Sequence, residues 1–151
     1  MDHRQVEQQL RVVSGKAGRR RLGWRAGAVW LSIALAETVH GVLRGWWLVP
    51  QIGEPAARRV GFVVGCLLVL GIATLSSRWL GACTAAQRWR VGALWCGLMA
   101  GFELLIGQLR GLDAAQLAAE FDPRQGGLML FGLLLMLAAP TLGAWLRSRL
   151  T

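Results

Sequence analysis

The chain has 151 residues, 54% of them hydrophobic and 17% charged, with 20 glycines, eight tryptophans and a mean hydropathy of +0.44. A water-soluble domain carries about a quarter charged residues, and the charges here are lopsided, 17 Lys+Arg against 8 Asp+Glu for a formal +9. These values exclude a disordered chain, an acidic binder and an ordinary cytosolic enzyme, and they point to a small all-α polytopic membrane protein.

Residues 1–25 form a basic tail. A membrane crossing needs roughly 20 mostly apolar residues, and four segments qualify: 26–48, 55–80, 91–109 and 123–146. Backbone groups find no water inside lipid, so segments of this length are expected to be helices. No apolar/polar alternation supports strands. No cleaved signal peptide is expected, because no small-residue cleavage pattern follows the first apolar run before Glu37. The second and fourth spans open on Glu54-Pro55 and Asp122-Pro123, an acid and a proline suited to the positive end of a helix. Residues 81–90 form a loop. Residues 112–121 suggest a short interfacial helix with Asp113, Gln116 and Glu120 on one face, and 147–151 form a second tail.

The cations set an orientation. Seven lie in the first tail (Arg4, Arg11, Lys16, Arg19, Arg20, Arg21, Arg25), three in the 81–90 region (Arg78, Arg88, Arg90) and two in the last tail (Arg147, Arg149). Only Arg44, Arg58, Arg59, Arg110 and Arg124 fall on the opposite side. The positive-inside rule then makes both termini cytoplasmic, in a bacterial inner membrane. The tail's excess charge suits anionic lipid headgroups. No nucleic-acid partner is expected, since no aromatic-interleaved or zinc-spaced motif accompanies it. Trp24, Trp30, Trp79, Trp89, Trp95 and Trp145 fall near the cytoplasmic ends and Trp46 and Trp47 near an outer end, as an aromatic belt would. Trp30 and Trp95 lie deeper and also suit ordinary packing.

Sliding the chain on itself by 66 positions superposes scarce residues. Glu37 meets Glu103, Gly41 meets Gly107, Arg44 meets Arg110, Glu54 meets Glu120, Arg58 meets Arg124 and Trp79 meets Trp145. This predicts two tandem helical hairpins, 26–80 and 91–146, in one orientation, with a pseudo-twofold along the membrane normal.

At 100° per residue Glu37, His40, Gly41 and Arg44 share one stripe of the first span, and Glu103, Gly107 and Arg110 share one of the third. An ionised side chain inside a span costs about 2.5–3.5 kcal/mol on insertion scales, so it should face the bundle interior. The simplest geometry puts the first and third spans together on the axis, Gly41 and Gly107 allowing close approach. Glu37, His40 and Glu103 are then either a proton- or cation-handling site or a polar clamp between helices. Arg44, Arg58, Arg110 and Arg124 gather near the outer surface. They form either a basic pocket for an anion or, preferred because Glu54 and Glu120 lie in reach, a salt bridge fixing each hairpin. Pro140 interrupts the fourth span beside Thr141 and invites a kink.

His3 and His40 are the two histidines, and Cys66, Cys83 and Cys96 are dispersed without C-x-x-C. Haem, zinc, iron–sulfur and disulfide frameworks are therefore unsupported, no nucleotide or hydrolase fingerprint occurs, and no cofactor is expected.

The stretch 36–44, A-E-T-V-H-G-V-L-R, with 53–61, G-E-P-A-A-R-R-V-G, resembles a group of small bacterial four-helix integral membrane proteins. The neighbourhoods of Phe102-Glu103 and Phe121-Asp122 are similar too. The resemblance spans about residues 30–146, implies the same fold and brings no established activity. The leading functional expectation is a small transport or permeation unit using the paired glutamates. Four spans leave little room for a pore in one chain, which points to a homodimer or larger membrane complex. Alternatives are a non-catalytic scaffold or accessory subunit, and a membrane enzyme acting on a lipid or quinone.

Overall fold

The computed structural model describes the backbone of residues 3–150 and the side chains of residues 18–150, so Arg4, Arg11 and Lys16 of the basic tail lie outside the described side chains. Helix α1 (His3–Leu43) begins within the basic stretch and passes into a π-helical segment, Arg44–Leu48, and then α2 (Val49–Ile52). Pro50 explains the wide turn. It has no N–H to give the carbonyl four residues back, and the Val49 N–H bonds instead to the Arg44 carbonyl. Gln51 Nε2 donates to the Trp47 carbonyl at 3.1 Å. The chain reverses at Gly53, whose φ of 77° favours glycine.

Helix α3 (Glu54–Leu80) carries Glu54 and Pro55 at its head, as its sequence signal implies. Helix α4 (Ala85–Leu109) starts on a reciprocal cap between Thr84 and Gln87. Helix α5 (Ala114–Phe121) starts the same way. There Asp113 Oδ1 accepts from the Gln116 N–H at 2.8 Å and Gln116 Oε1 accepts from the Asp113 N–H at 2.9 Å. Asp113 and Gln116, expected on one polar face with Glu120, are exposed and also form the cap of the helix.

The last helix, α6 (Met129–Leu150), starts later than expected. Asp122-Pro123 opens only a single 3-10 turn, Pro123–Gln125, with Asp122 Oδ1 accepting from the Arg124 N–H at 2.9 Å. Gly126 and Gly127 follow, and Gly127 lies against the carbonyls of Ala119 and Glu120, where a Cβ would collide. Glu54 therefore begins α3, whereas Glu120, its partner at the 66-residue offset, lies inside α5. Pro140 is buried and α6 runs on through it.

The four long helices form a ring in the order α1, α3, α6, α4. Helix α3 packs most extensively on α6, and α1 meets α4 more lightly than it meets α3. The closest cross-half pair is thus α3 with α6, not the first and third spans. Glycine placement explains it. A Cβ on Gly143 of α6 would come within 2.7 Å of the Ala73 backbone of α3. Gly92 of α4 lies as closely against the Leu137 backbone of α6. Gly41 has open space beside it instead, and Gly107 meets the Leu117 side chain of α5.

The apolar core fills the half of the bundle nearest the termini. Ala26, Val29 and Ile33 meet Val69, Ala73, Trp95, Met99, Met136 and Ala139 there. Trp95 is 0% exposed, and its Nε1–H donates to the Ala26 carbonyl at 2.8 Å. Trp30 packs edge-on to Phe102, ring centroids 6.3 Å apart. These two tryptophans are core residues, while the other six are exposed at the two ends of the bundle. Leucines and valines also cover the outer faces. Such a surface suits lipid and would aggregate in water. Four of the described helical stretches are long and apolar enough to cross a bilayer. By helix length and hydropathy the chain is a multi-pass membrane protein.

Candidate functional site

The half of the bundle away from the termini is open. A cleft of about 810 Å³ lies between α1 and α3 on one side and α4, α5 and α6 on the other. The helices separate at this level because the glycine-mediated backbone contacts lie elsewhere. Phe62, Val69, Met99, Phe102 and Met136 are among its apolar lining, and Val69, Met99 and Met136 also belong to the buried core beneath. The cleft is therefore blind at its deep end.

Glu37 enters it from α1. Its carboxylate rests against Gly65 of α3, where a Cβ would stand 2.9 Å from Oε2. His40 Nδ1 is 3.6 Å from Glu37 Oε2, one turn along the same helix, and the side chains are 19% and 22% exposed. Glu37 Oε1 is buried and accepts no hydrogen bond among the described residues. Cys66 of α3, next to Gly65, lines the same cleft. Glu103 enters the same cleft from α4, half-buried, and Glu120 and Arg110 line that cleft as well.

The arginines lie nearer the mouth. Arg44 lies across Gly61 of α3 and donates from Nη1 to Glu54 Oε1 at 3.1 Å. This pair closes the first hairpin. Arg58 donates from Nη2 to Glu120 Oε1 at 3.0 Å, tying α3 to α5 and so joining the two halves of the chain. Salt bridges within both hairpins were expected, and only the first takes that form. Arg110 lines the cleft without a salt bridge among the described residues. Arg124 is exposed on its 3-10 turn, outside the cleft lining, because α6 begins beyond it.

Gly61 and Gly65 lie directly against candidate site residues, a role that the sequence reading did not give to either. They form the seat for Arg44 and Glu37, and with Ala57, Val69 and Ala73 they make a buried stripe at every fourth residue of α3. The small-x-x-x-small pattern was present in the sequence. The described residues hold no group of three or more His, Cys, Asp or Glu side chains able to take a metal ion, and Cys66, Cys83 and Cys96 are free thiols.

No family model, curated protein or solved structure matches the chain. The likeness noted for residues 36–44 and 53–61 therefore identifies no family, and the four long apolar helices carry the membrane assignment alone.

Proposed function

We propose that the protein is a small inner-membrane transport or permeation unit in which Glu37, assisted by His40, and Glu103 handle a proton or other cation within the cleft. One observation carries this reading: two carboxylates from different helices open into a single cavity, and one oxygen of Glu37 is buried without a donor. A pure clamp would bring such groups into hydrogen bonds with each other or with helix partners. With the termini cytoplasmic, as the cation distribution favours, the cleft faces the outside.

The blind end sets a requirement. Passage needs α1 and α4 to part around Trp95, or a second copy to complete the route, whereas one chain builds the cleft itself. The enzyme alternative is less well supported, because Arg44 and Arg58 are already matched by Glu54 and Glu120.

The test is pH-dependent cation flux into liposomes holding the purified full chain. Glu37→Gln and Glu103→Gln should each abolish the flux while leaving thermal unfolding in detergent close to that of the parent. If both variants lose the fold instead, the glutamates are a structural clamp and the transport reading falls.

A further inference from the structure

We infer that the cleft takes a lipophilic organic monocation, its charge between Glu37 and Glu103 and its apolar body on the floor beneath them. This substrate class rests on the transport reading above and sharpens it. Three observations lead to it.

The first is size. About 810 Å³ is the volume of a pocket for a drug-sized molecule, far beyond the needs of a bare ion. The absence of a three-ligand metal cluster among the described residues agrees. The second is the wall. Phe62 and Phe102 offer aromatic surface that attracts cations, and Met99 and Met136 add adaptable apolar surface. The third is the charge balance. Four acids and three arginines line the cleft, and Arg44 with Glu54 and Arg58 with Glu120 cancel. Counted by formal charge, Glu37 and Glu103 remain against Arg110, a balance of one negative charge. An anion would meet two carboxylates at depth, and a dication would be undercompensated.

Cys66 lines the cleft and provides a readout. In the full chain carrying Cys83→Ser and Cys96→Ser, in phosphatidylcholine nanodiscs, the rate of Cys66 modification by methyl methanethiosulfonate is followed. Tetraphenylphosphonium and tetraphenylborate have nearly the same shape and opposite charge. The cation should protect Cys66 in a saturable way and the anion should not. Glu37→Gln and Glu103→Gln should each raise the half-protecting concentration by about tenfold, the order expected for one close charge lost. Arg110→Gln, at an exposed helix end, should lower it.

Equal protection by both ions, protection by neither, or protection indifferent to all three variants overturns the inference. Its failure is separable from failure of the transport reading. Glutamate-dependent flux without tetraphenylphosphonium protection removes the substrate class and leaves transport standing. Charge-selective protection without glutamate-dependent flux keeps the binding site and removes transport.

Discussion

Gly65 and Gly143 show how one substitution can act in two ways in this protein. At Gly143 an added methyl meets the α3 backbone, Ala73 C at 2.7 Å and Thr74 N at 2.9 Å, and backbone within a packed helix cannot swing aside. Gly143→Ala should therefore force α3 and α6 apart and cost about 1–3 kcal/mol, as overpacking does. At Gly65 the methyl meets the end of the Glu37 side chain, which has rotamers to move into. Gly65→Ala should leave stability nearly unchanged while displacing the carboxylate and lowering flux. Unfolding by SDS in mixed micelles measures the first effect and the liposome assay the second. Equal stability losses at the two positions would show that Glu37 is held rigidly. Glu37 itself was legible in the sequence because a carboxylate is rare in an apolar span. Its seat was not. With 20 glycines in the chain, a small residue becomes informative only once its neighbouring helix is known.

Among the elements, α4 is held to α1 by few specific contacts, so each can be isolated. Trp95→Phe removes the Nε1–H bond to Ala26 yet leaves that carbonyl its helical partner. The lost bond should cost about 0.5–1.5 kcal/mol, with a further penalty for the void. Trp95→Ala, at a 0% exposed site, should cost about 3–5 kcal/mol. Thermal unfolding in detergent ranks the two variants, and a phenylalanine as costly as alanine would mean that the hydrogen bond dominates. Helix α5 is tethered differently. The side chains of Arg58 and Glu120 are 42% and 45% exposed, so Glu120→Gln should cost less than about 1 kcal/mol globally. Amide exchange in residues 114–121 should nevertheless accelerate, since the tether to α3 weakens. An unchanged exchange rate there would assign α5's anchoring to Leu117 instead. The limits of α3 and the end of α4 could be read closely from hydropathy. Helix α4 starts at Ala85, inside the stretch 81–90 expected to be a loop, because its first turns carry Gln87, Arg88 and Arg90 and are helical without being apolar. The start of α6 could not be read either, because Asp122-Pro123 is an equally good head for a 3-10 turn and only the tucked Gly127 selects between them. Likewise the π segment follows from Pro50, whose effect appears one turn before the proline.

At the scale of the whole molecule, composition was enough for the class: a chain this apolar with this many long helices has one compatible solvent. The asymmetry along the bundle axis, closed near the termini and open at the far end, was hidden because both halves have similar hydropathy. It depends on where Gly92 and Gly143 bring backbones together and on Trp95 filling the gap between α1 and α4. Three native thiols can test it together with orientation. Cys83 is exposed in the turn between α3 and α4, at the termini end, whereas Cys66 lines the cleft that opens at the other end. A membrane-impermeant cationic methanethiosulfonate added to sealed right-side-out vesicles should modify Cys66 in a chain with Cys83→Ser and Cys96→Ser. It should leave Cys83 untouched in a chain with Cys66→Ser and Cys96→Ser until the vesicles are opened. Inverted vesicles should exchange the two results. If both thiols react from one side, the cleft communicates with the termini end and is a through path rather than a blind one. If the two sides are simply swapped, the bundle stands as described and the positive-inside orientation is reversed.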